Sequence, residues 1–586
     1  MLIPSRQEGR LTETPPQWFS PHWSLSPGDF FNRTSIMSDP LIIQGGMGVA
    51  VSGWPLANAV SRLGQLGVVS GTILAVVLAR RLQQGDEGGH MRWALDQFPI
   101  QAMATRILER YFVPGGKEDT ASFAPVPMPT ASYSPELTEL TVVANFVEVA
   151  LAKKGHDGVV GINLLEKVAF PTLASLFGAM LAGVDYVLMG AGIPRLIPGV
   201  LDRFARGESA ELDIPVACAP SQLSGNGAVS SGEPTGASAI AAALAAEMAN
   251  ARVAQAVFNP VAFMGGEAPV LKRPKFLAIV SSAPLATTLA RKATGRVDGF
   301  VIEGDTAGGH NAPPRGEMVL DEGGEPVYGA RDVADIEKIR ALGLPFWLAG
   351  ECGQPGRLAD ARRQGAAGVQ VGTAFAFCEE SGITPALKRQ ACALSRAGAA
   401  RAWTDPLASP TGFPFKVLQM GGTLSEEIHY TARTRVCDLG YLRQGYRRAD
   451  GTLGYRCAAE PEADFVRKGG DISETKGRKC LCNALLATVD LGQSLARRRR
   501  AAAAQAQVAD TDNSDATAVS SGADVELPLI TAGKDVSGIA RYIPAGADSY
   551  HASDVVRALL ADLTTAATPL SERTEDREPA TAEVAG

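Results

Sequence analysis

Histidine and cysteine are scarce in this chain, with six His and eight Cys among 586 residues. So thin a cysteine complement does not make a secreted disulfide scaffold, and a reduced, cytoplasmic setting is expected. A cationic excess is lacking as well. The 55 Lys and Arg are outnumbered by 62 Asp and Glu, so no basic footprint points to nucleic acid. Met1–Asp39 contains no apolar run of signal-peptide length. The longest membrane-like stretch, Leu176–Ile193, is interrupted by Asp185 and several glycines, and is expected to be a helix end followed by a buried strand. Gly and Pro are frequent but follow no G-X-Y period, which excludes a collagen-like chain. No G-x-G-x-x-G follows the first apolar run, which disfavours an open doubly wound dinucleotide sheet.

What the chain does have is a core. Hydrophobic residues make up 46%, enough to bury one over most of the length. Eight short apolar runs recur, each ending near Gly, Ser or Thr: Leu41–Gln44, Val68–Ser70, Val159–Leu165, Tyr186–Gly190, Phe276–Ser282, Gly299–Gly304, Phe346–Gly350 and Gly368–Thr373. Helix-like periodicity fills the gaps, at Pro55–Leu63, Ala286–Ala293, Val333–Leu342 and Gly356–Gln364. Runs without polar alternation indicate strands covered on both faces. Eight of them alternating with helices predict a (β/α)8 TIM barrel over 40–380. Long insertions fall at about 73–157, with a helix over Leu137–Lys154, and at about 199–274, with a Ser/Gly stretch at Ser221–Ser238 and an Ala-rich helix at Ala237–Ala256. Such loops on a barrel end point to lids or homo-oligomer contacts.

Residues 1–39 read as a flexible N-terminal extension, with Met37 as an alternative start to Met1. Beyond the barrel, 381–492 reads as a turn-rich extension that opens with a helix over Ile383–Arg401. Residues 493–526, including the Arg497–Arg500 run, read as a flexible linker, 527–563 as a short docked segment with an amphipathic Ala552–Leu563, and 564–586 as a disordered tail.

The chemistry gathers at expected strand ends. Glu303-Gly304-Asp305-Thr306-Ala307-Gly308-Gly309-His310 follows the sixth run. Gly308 and Gly309 let the backbone approach a ligand, and the imidazole of His310 is expected beside it, with a pKa suited to proton transfer near neutrality. Gly350 and Gly353 after the seventh run, and Gly372-Thr373 after the eighth, leave loop amides open where barrels commonly bind phosphate. After the first run, Gly45, Gly46 and Gly48 leave room for a flat ring on the backbone, with Met47 to pack against it. Asn163 is polar inside an apolar strand, and its partner is either a cofactor or a buried network.

The order Ile43-Gln44-Gly45-Gly46-Met47-Gly48, Gly161-Ile162-Asn163, Glu303 through His310, Gly350, and Gln370-Val371-Gly372-Thr373 resembles the nitronate monooxygenase (2-nitropropane dioxygenase) family of FMN-dependent TIM barrels, related to FMN-type enoyl reductases. The resemblance implies that Met47, Asn163, Glu303, Gly308, Gly350, Gln370, Val371, Gly372 and Thr373 contact FMN, with His310 the catalytic imidazole. It further implies a small-molecule substrate and dioxygen as reactants, an alkyl nitronate giving a carbonyl compound and nitrite, with His310 orienting the anion, which its protonated form favours, or removing the α-proton of a neutral nitroalkane. Two alternatives stand beside it: an NAD(P)H-dependent enoyl reductase of acyl or polyketide thioesters, and a flavin-binding accessory protein of a biosynthetic complex. Two positions depart from the family pattern. Glu303 stands where Gln is usual, and Glu351 where a second glycine is usual; a carboxylate beside phosphate is unfavourable, so Glu351 is expected to point away, or that loop to differ.

Cys437, Cys457, Cys480 and Cys482 are spaced C-x19-C-x22-C-x-C. Two readings remain open for them: a four-thiolate zinc or iron–sulfur site, or ordinary reduced cysteines, since paired C-x2-C knuckles are absent. Cys218, Cys378 and Cys392 read as packing residues, and Cys352 as a neighbour of the phosphate loop.

Overall fold

A computed structural model describes residues 39–132, 134–217, 252–494 and 525–566. In chain order its strands are β1 (Ile42–Gln44), β2 (Gly67–Ser70), β3 (Val160–Leu165), β4 (Tyr186–Gly190), β5 (Ala210–Ala217), β6 (Arg252–Phe258), β7 (Lys275–Val280), β8 (Gly299–Glu303), β9 (Phe346–Ala349), β10 (Gly368–Val371), β11 (Ala402–Asp405), β12 (Phe415–Leu418), β13 (Gln444–Arg447) and β14 (Leu453–Arg456). Eight of them form one sheet in the order β1-β10-β9-β8-β7-β4-β3-β2, and every pairing in it is parallel. The ring closes between β1 and β2, where Ile43 bridges Leu66 and the Gln44 amide donates to the Leu66 carbonyl at 2.9 Å. The Gln44 side chain extends this short seam, accepting from the Val68 amide at 3.1 Å and donating to its carbonyl at 3.2 Å. These are the eight strands expected from the apolar runs, and the chain folds as a (β/α)8 barrel.

Alternation explains why those runs are unbroken. Ile43, Val68, Tyr186, Leu188, Leu277, Val301 and Trp347 fill the barrel interior. Their neighbours Ile42, Val69, Val187, Phe276, Phe300 and Phe346 face the surrounding helices. Both sets leave water, so neither face requires polar residues. The Trp347 indole N–H, buried in the ring, donates to the Pro40 carbonyl at 2.7 Å.

The first insertion folds as helices, including Pro135–Ala152, which starts with Pro135 at its first turn and Ser134 accepting from the Leu137 amide. The second insertion differs from expectation. β5 and β6 pair antiparallel, and β13 adds in parallel to β5, giving a sheet β14-β13-β5-β6 that ties the insertion to the C-terminal extension. Residues 252–256, expected within an Ala-rich helix, are therefore in β6. The remainder of that helix, the Ser221–Ser238 stretch, Cys218, residues 1–38 with the Met37 start, Arg497–Arg500 and the rest of 495–524, and 567–586 lie outside the described residues.

After the barrel, helix Pro385–Arg396 leads into the β11–β12 ribbon. Helix Ala552–Ala566 packs on helices Arg357–Arg363 and Trp54–Arg62 of the barrel shell. Leu176–Ile193 contains the end of helix Thr172–Leu181 followed by β4. Among the described residues no helix is long and apolar enough to cross a membrane.

Candidate functional site

A cavity of about 180 Å³ opens at the C-terminal ends of the barrel strands, the end where barrel enzymes place their chemistry. Of the residues singled out in the sequence, Gly46, Met47, Asn163, Glu303, Gly308, Gly309, His310, Gly350, Gln370, Val371, Gly372 and Thr373 all line it. Gly353 does not. Its carbonyl accepts from the Tyr542 hydroxyl, and the loop beyond Cys352 turns away toward that contact.

The first wall is the turn after β1. A Cβ on Gly46 would overlap the Asn163 side chain, so only glycine brings the backbone this close. Gly48 has φ +54°, and its carbonyl accepts from the Ser70 hydroxyl at 2.7 Å; the Met47 amide donates to the Ser52 hydroxyl at 2.8 Å. Facing this rigid turn, the buried Gln370 Oε1 has no hydrogen-bond partner among the described residues, and Asn163 lines the same wall. A polar group at this glycine-lined wall is thus left with unmet bonding capacity, which buried amides rarely tolerate without a ligand or water.

The second wall carries the ionisable groups. Beyond Gly309 (φ +82°), His310 forms a β-bridge to Phe415, whose ring meets the imidazole edge-on at a centroid distance of 4.9 Å. His310 Nε2 lies 2.7 Å from the Ser409 hydroxyl. Burial, helped by Lys167, pulls the His310 pKa down to about 4. The imidazole is therefore neutral at neutral pH, which corrects the expectation of a protonated His310 greeting an anion. The group that titrates near neutrality is Glu303: burial pushes its carboxyl up to about 7, against the pull of Lys416. Lys416 is fully buried, donates to Asn311 Oδ1 at 3.1 Å and Thr404 Oγ1 at 2.8 Å, and is itself lowered to about 8 by burial. Glu303 and His310 also border an adjoining cavity of about 200 Å³, together with Asn311, Arg315, Tyr328 and Asp332.

The third wall joins the loops after β9 and β10 to a segment from far along the chain, Leu529–Tyr542. The Gly309 amide donates to the Thr531 hydroxyl at 2.8 Å, the Lys534 amide to the Thr306 carbonyl at 3.0 Å, and the Gly533 amide to the Thr373 hydroxyl at 2.9 Å. A Cβ on Gly308 would sit 2.9 Å from the Ala532 and Gly533 backbone, so that glycine makes room for the segment. Asp535 hydrogen-bonds Thr373 and lines the cavity. Glu351 lines it too, held in the left-handed region at φ +51°. Its carboxylate accepts from the Gln354 side chain at 3.3 Å, a residue that does not line the cavity. Phe415, Lys416, Ser409 and the Thr531–Asp535 stretch belong to the site without any motif to announce them.

Cys437, Cys457, Cys480 and Cys482 gather around a separate void of about 10 Å³. Cys437 and Cys457 hydrogen-bond each other, and burial pushes the Cys480 and Cys482 thiols up. Among the described residues no group of three His, Cys, Asp or Glu side chains stands where it could hold a metal ion. The zinc or iron–sulfur reading gains no support among the described residues, where all four are free cysteines. Cys378 and Cys392 are buried packing residues, and Cys352 lines the cavity.

Comparison with known proteins found no match among curated sequences. Solved structures give loose likenesses. FabK from Thermotoga maritima is 14% identical with a TM-score of 0.40, covering 90% of this chain and 94% of that one. Nitroalkane oxidase from Streptomyces ansochromogenes is 15% identical at 0.38, covering 90% and 97%. The enoyl reductase domain of MlnA, from the macrolactin biosynthesis cluster of Bacillus amyloliquefaciens, is 10% identical at 0.37, covering 90% and 94%. The nitronate monooxygenase family model matches residues 251–399, the span of β6 to β10 that carries Glu303, Gly308, His310, Gly350 and Gln370–Thr373. Over residues 251–399 this chain is similar to the nitronate monooxygenase family.

Proposed function

We propose that the protein is an FMN-dependent oxidoreductase that oxidises alkyl nitronates with dioxygen to a carbonyl compound and nitrite. The observation that carries this reading is the glycine-lined wall at 45–48, where Gln370 Oε1, without a partner among the described residues, and Asn163 meet a close-lying backbone. A flat heteroaromatic ring with its own donors and acceptors would satisfy Gln370. Gly46, Met47, Asn163 and Gln370 would hold that ring, while the amides of Gly350 and Gly372 and the Thr373 hydroxyl would face its phosphate end. When bound, FMN supplies an acceptor for electrons from the substrate and a donor of electrons to dioxygen.

The chain's own residues then divide the remaining work. Neutral His310, fixed by Ser409 and Phe415, presents an uncharged imidazole that orients a nitro or nitronate oxygen by hydrogen bonding. Glu303, half-ionised near pH 7, is the group able to take the α-proton of a neutral nitroalkane. Lys416 holds Glu303 within that range. The C-terminal segment and Phe415 complete the lining of the cavity.

The deciding experiment is the visible spectrum of the purified protein, followed by anaerobic titration. Flavin bleaching by an alkyl nitronate alone supports the proposal. Bleaching by NAD(P)H alone supports the enoyl reductase reading instead, bleaching by neither supports the accessory-protein reading, and failure to bind FMN overturns all three.

A further inference from the structure

The phosphate end of the cavity is unusual in its charge. Loops after β9 and β10 offer open amides, yet the charged residues lining that end are Asp535 and Glu351, both carboxylates. Asp535 arrives on the Leu529–Tyr542 segment and hydrogen-bonds Thr373, the hydroxyl best placed for a phosphate oxygen. A Cβ on Gly353 would stand 3.1 Å from Asp535 Oδ2, so the carboxylate lies directly against the loop after β9. The nearby cations, Arg541 on its own segment and Arg357 beside Cys352, have solvent-exposed side chains. The other titratable neighbours are Cys352, Tyr542 and Tyr550, none of which is cationic. Nor can the carboxylate easily leave, because the hydrogen bonds of Thr531, Gly533, Lys534 and Tyr542 pin its segment to the barrel.

Resting on the flavin reading above, we propose that Asp535 is the residue through which this site tells a phosphorylated from an unphosphorylated ligand, by accepting one proton from solvent as a phosphate monoester enters and then donating that proton in a hydrogen bond to a phosphate oxygen. Left ionised, it would set a carboxylate against a dianion in a poorly solvated corner. Burial, and after it Glu351, already push the Asp535 carboxyl upward against the pull of Thr373.

The test uses the full-length protein stripped of flavin and titrated by fluorescence with FMN and with riboflavin at pH 6.5, 7.5 and 8.5. Over this range a phosphate monoester is mainly dianionic. FMN affinity is expected to fall by about tenfold per pH unit relative to riboflavin, since one proton accompanies binding. Riboflavin carries the same ring and serves as the internal reference for titrations that do not involve the phosphate. Asp535→Asn is expected to remove the difference, and the wild-type comparison stands even where that variant folds poorly. Parallel profiles for the two flavins, or an undiminished slope in Asp535→Asn, overturn the assignment while leaving the flavin site intact. Failure of both flavins to bind at any pH overturns the flavin site and this inference together.

Discussion

Glu303 and His310 are pushed in opposite directions by the same burial, and that opposition can be measured without any ligand. In the folded protein His310 stays neutral down to about pH 4, whereas in the unfolded chain it protonates near 6.5. Stability from this group is therefore full above pH 6.5 and is lost as pH falls toward 4. Glu303 keeps its proton up to about pH 7 when folded but releases it near 4.5 when unfolded. Its contribution is full below pH 4.5 and is lost as pH rises toward 7. Each group carries about 2–3 kcal/mol, less than the full displacement implies because both side chains partly face the cavity. Between pH 4.5 and 6.5 the two slopes cancel, so wild-type stability shows neither. Replacing one group exposes the other: Glu303→Gln should gain about 1 kcal/mol of stability per pH unit through this window relative to wild type, and His310→Asn should lose about as much. Urea denaturation followed by tryptophan fluorescence at half-unit pH steps reads both differences. If both variants run parallel to wild type, the burial of these two groups is misjudged and the division of roles between them falls.

Three further outcomes follow from the same geometry. His310→Ala should retain bound flavin yet lose on the order of 100-fold or more in turnover; wild-type rates in that variant would remove the imidazole from the reaction. Gly372→Ala should fold normally, since the nearest atom to an added Cβ is the Met47 sulfur at 3.5 Å; a drop in FMN content at unchanged melting temperature would then report lost room for the ligand, and full occupancy would argue against the phosphate end lying there. Lys416→Met removes the cation that lowers Glu303, so the Glu303-linked midpoint of the pH–rate profile should move upward, and a downward or absent shift would sever the link between them.

The barrel was legible because its strands are buried on both faces, which writes an uninterrupted apolar run at each of the eight positions. β5 obeys a different rule. Its alternation of Leu212, Ile214 and Val216 with outward Glu211, Asp213 and Pro215 marks a strand with one wet face, and its partner β13 lies far away in sequence, so no local run marks it. Glycines near the strand ends were legible for the same local reason: a close approach of backbone, as at Gly46, leaves no alternative residue. The electrostatic character of the site was not. A lone His after two glycines reads as a group poised at neutral pH, and only the later chain, folding Phe415 and Ser409 back over it, converts it into a neutral imidazole. The Leu529–Tyr542 segment touches the barrel through backbone amides, two hydroxyls and one carboxylate, a set with no periodicity and no motif. The barrel strands can therefore place a ligand, but which proton moves, and which charge the ligand is allowed to carry, is decided by residues that the fold imports from beyond its eighth strand.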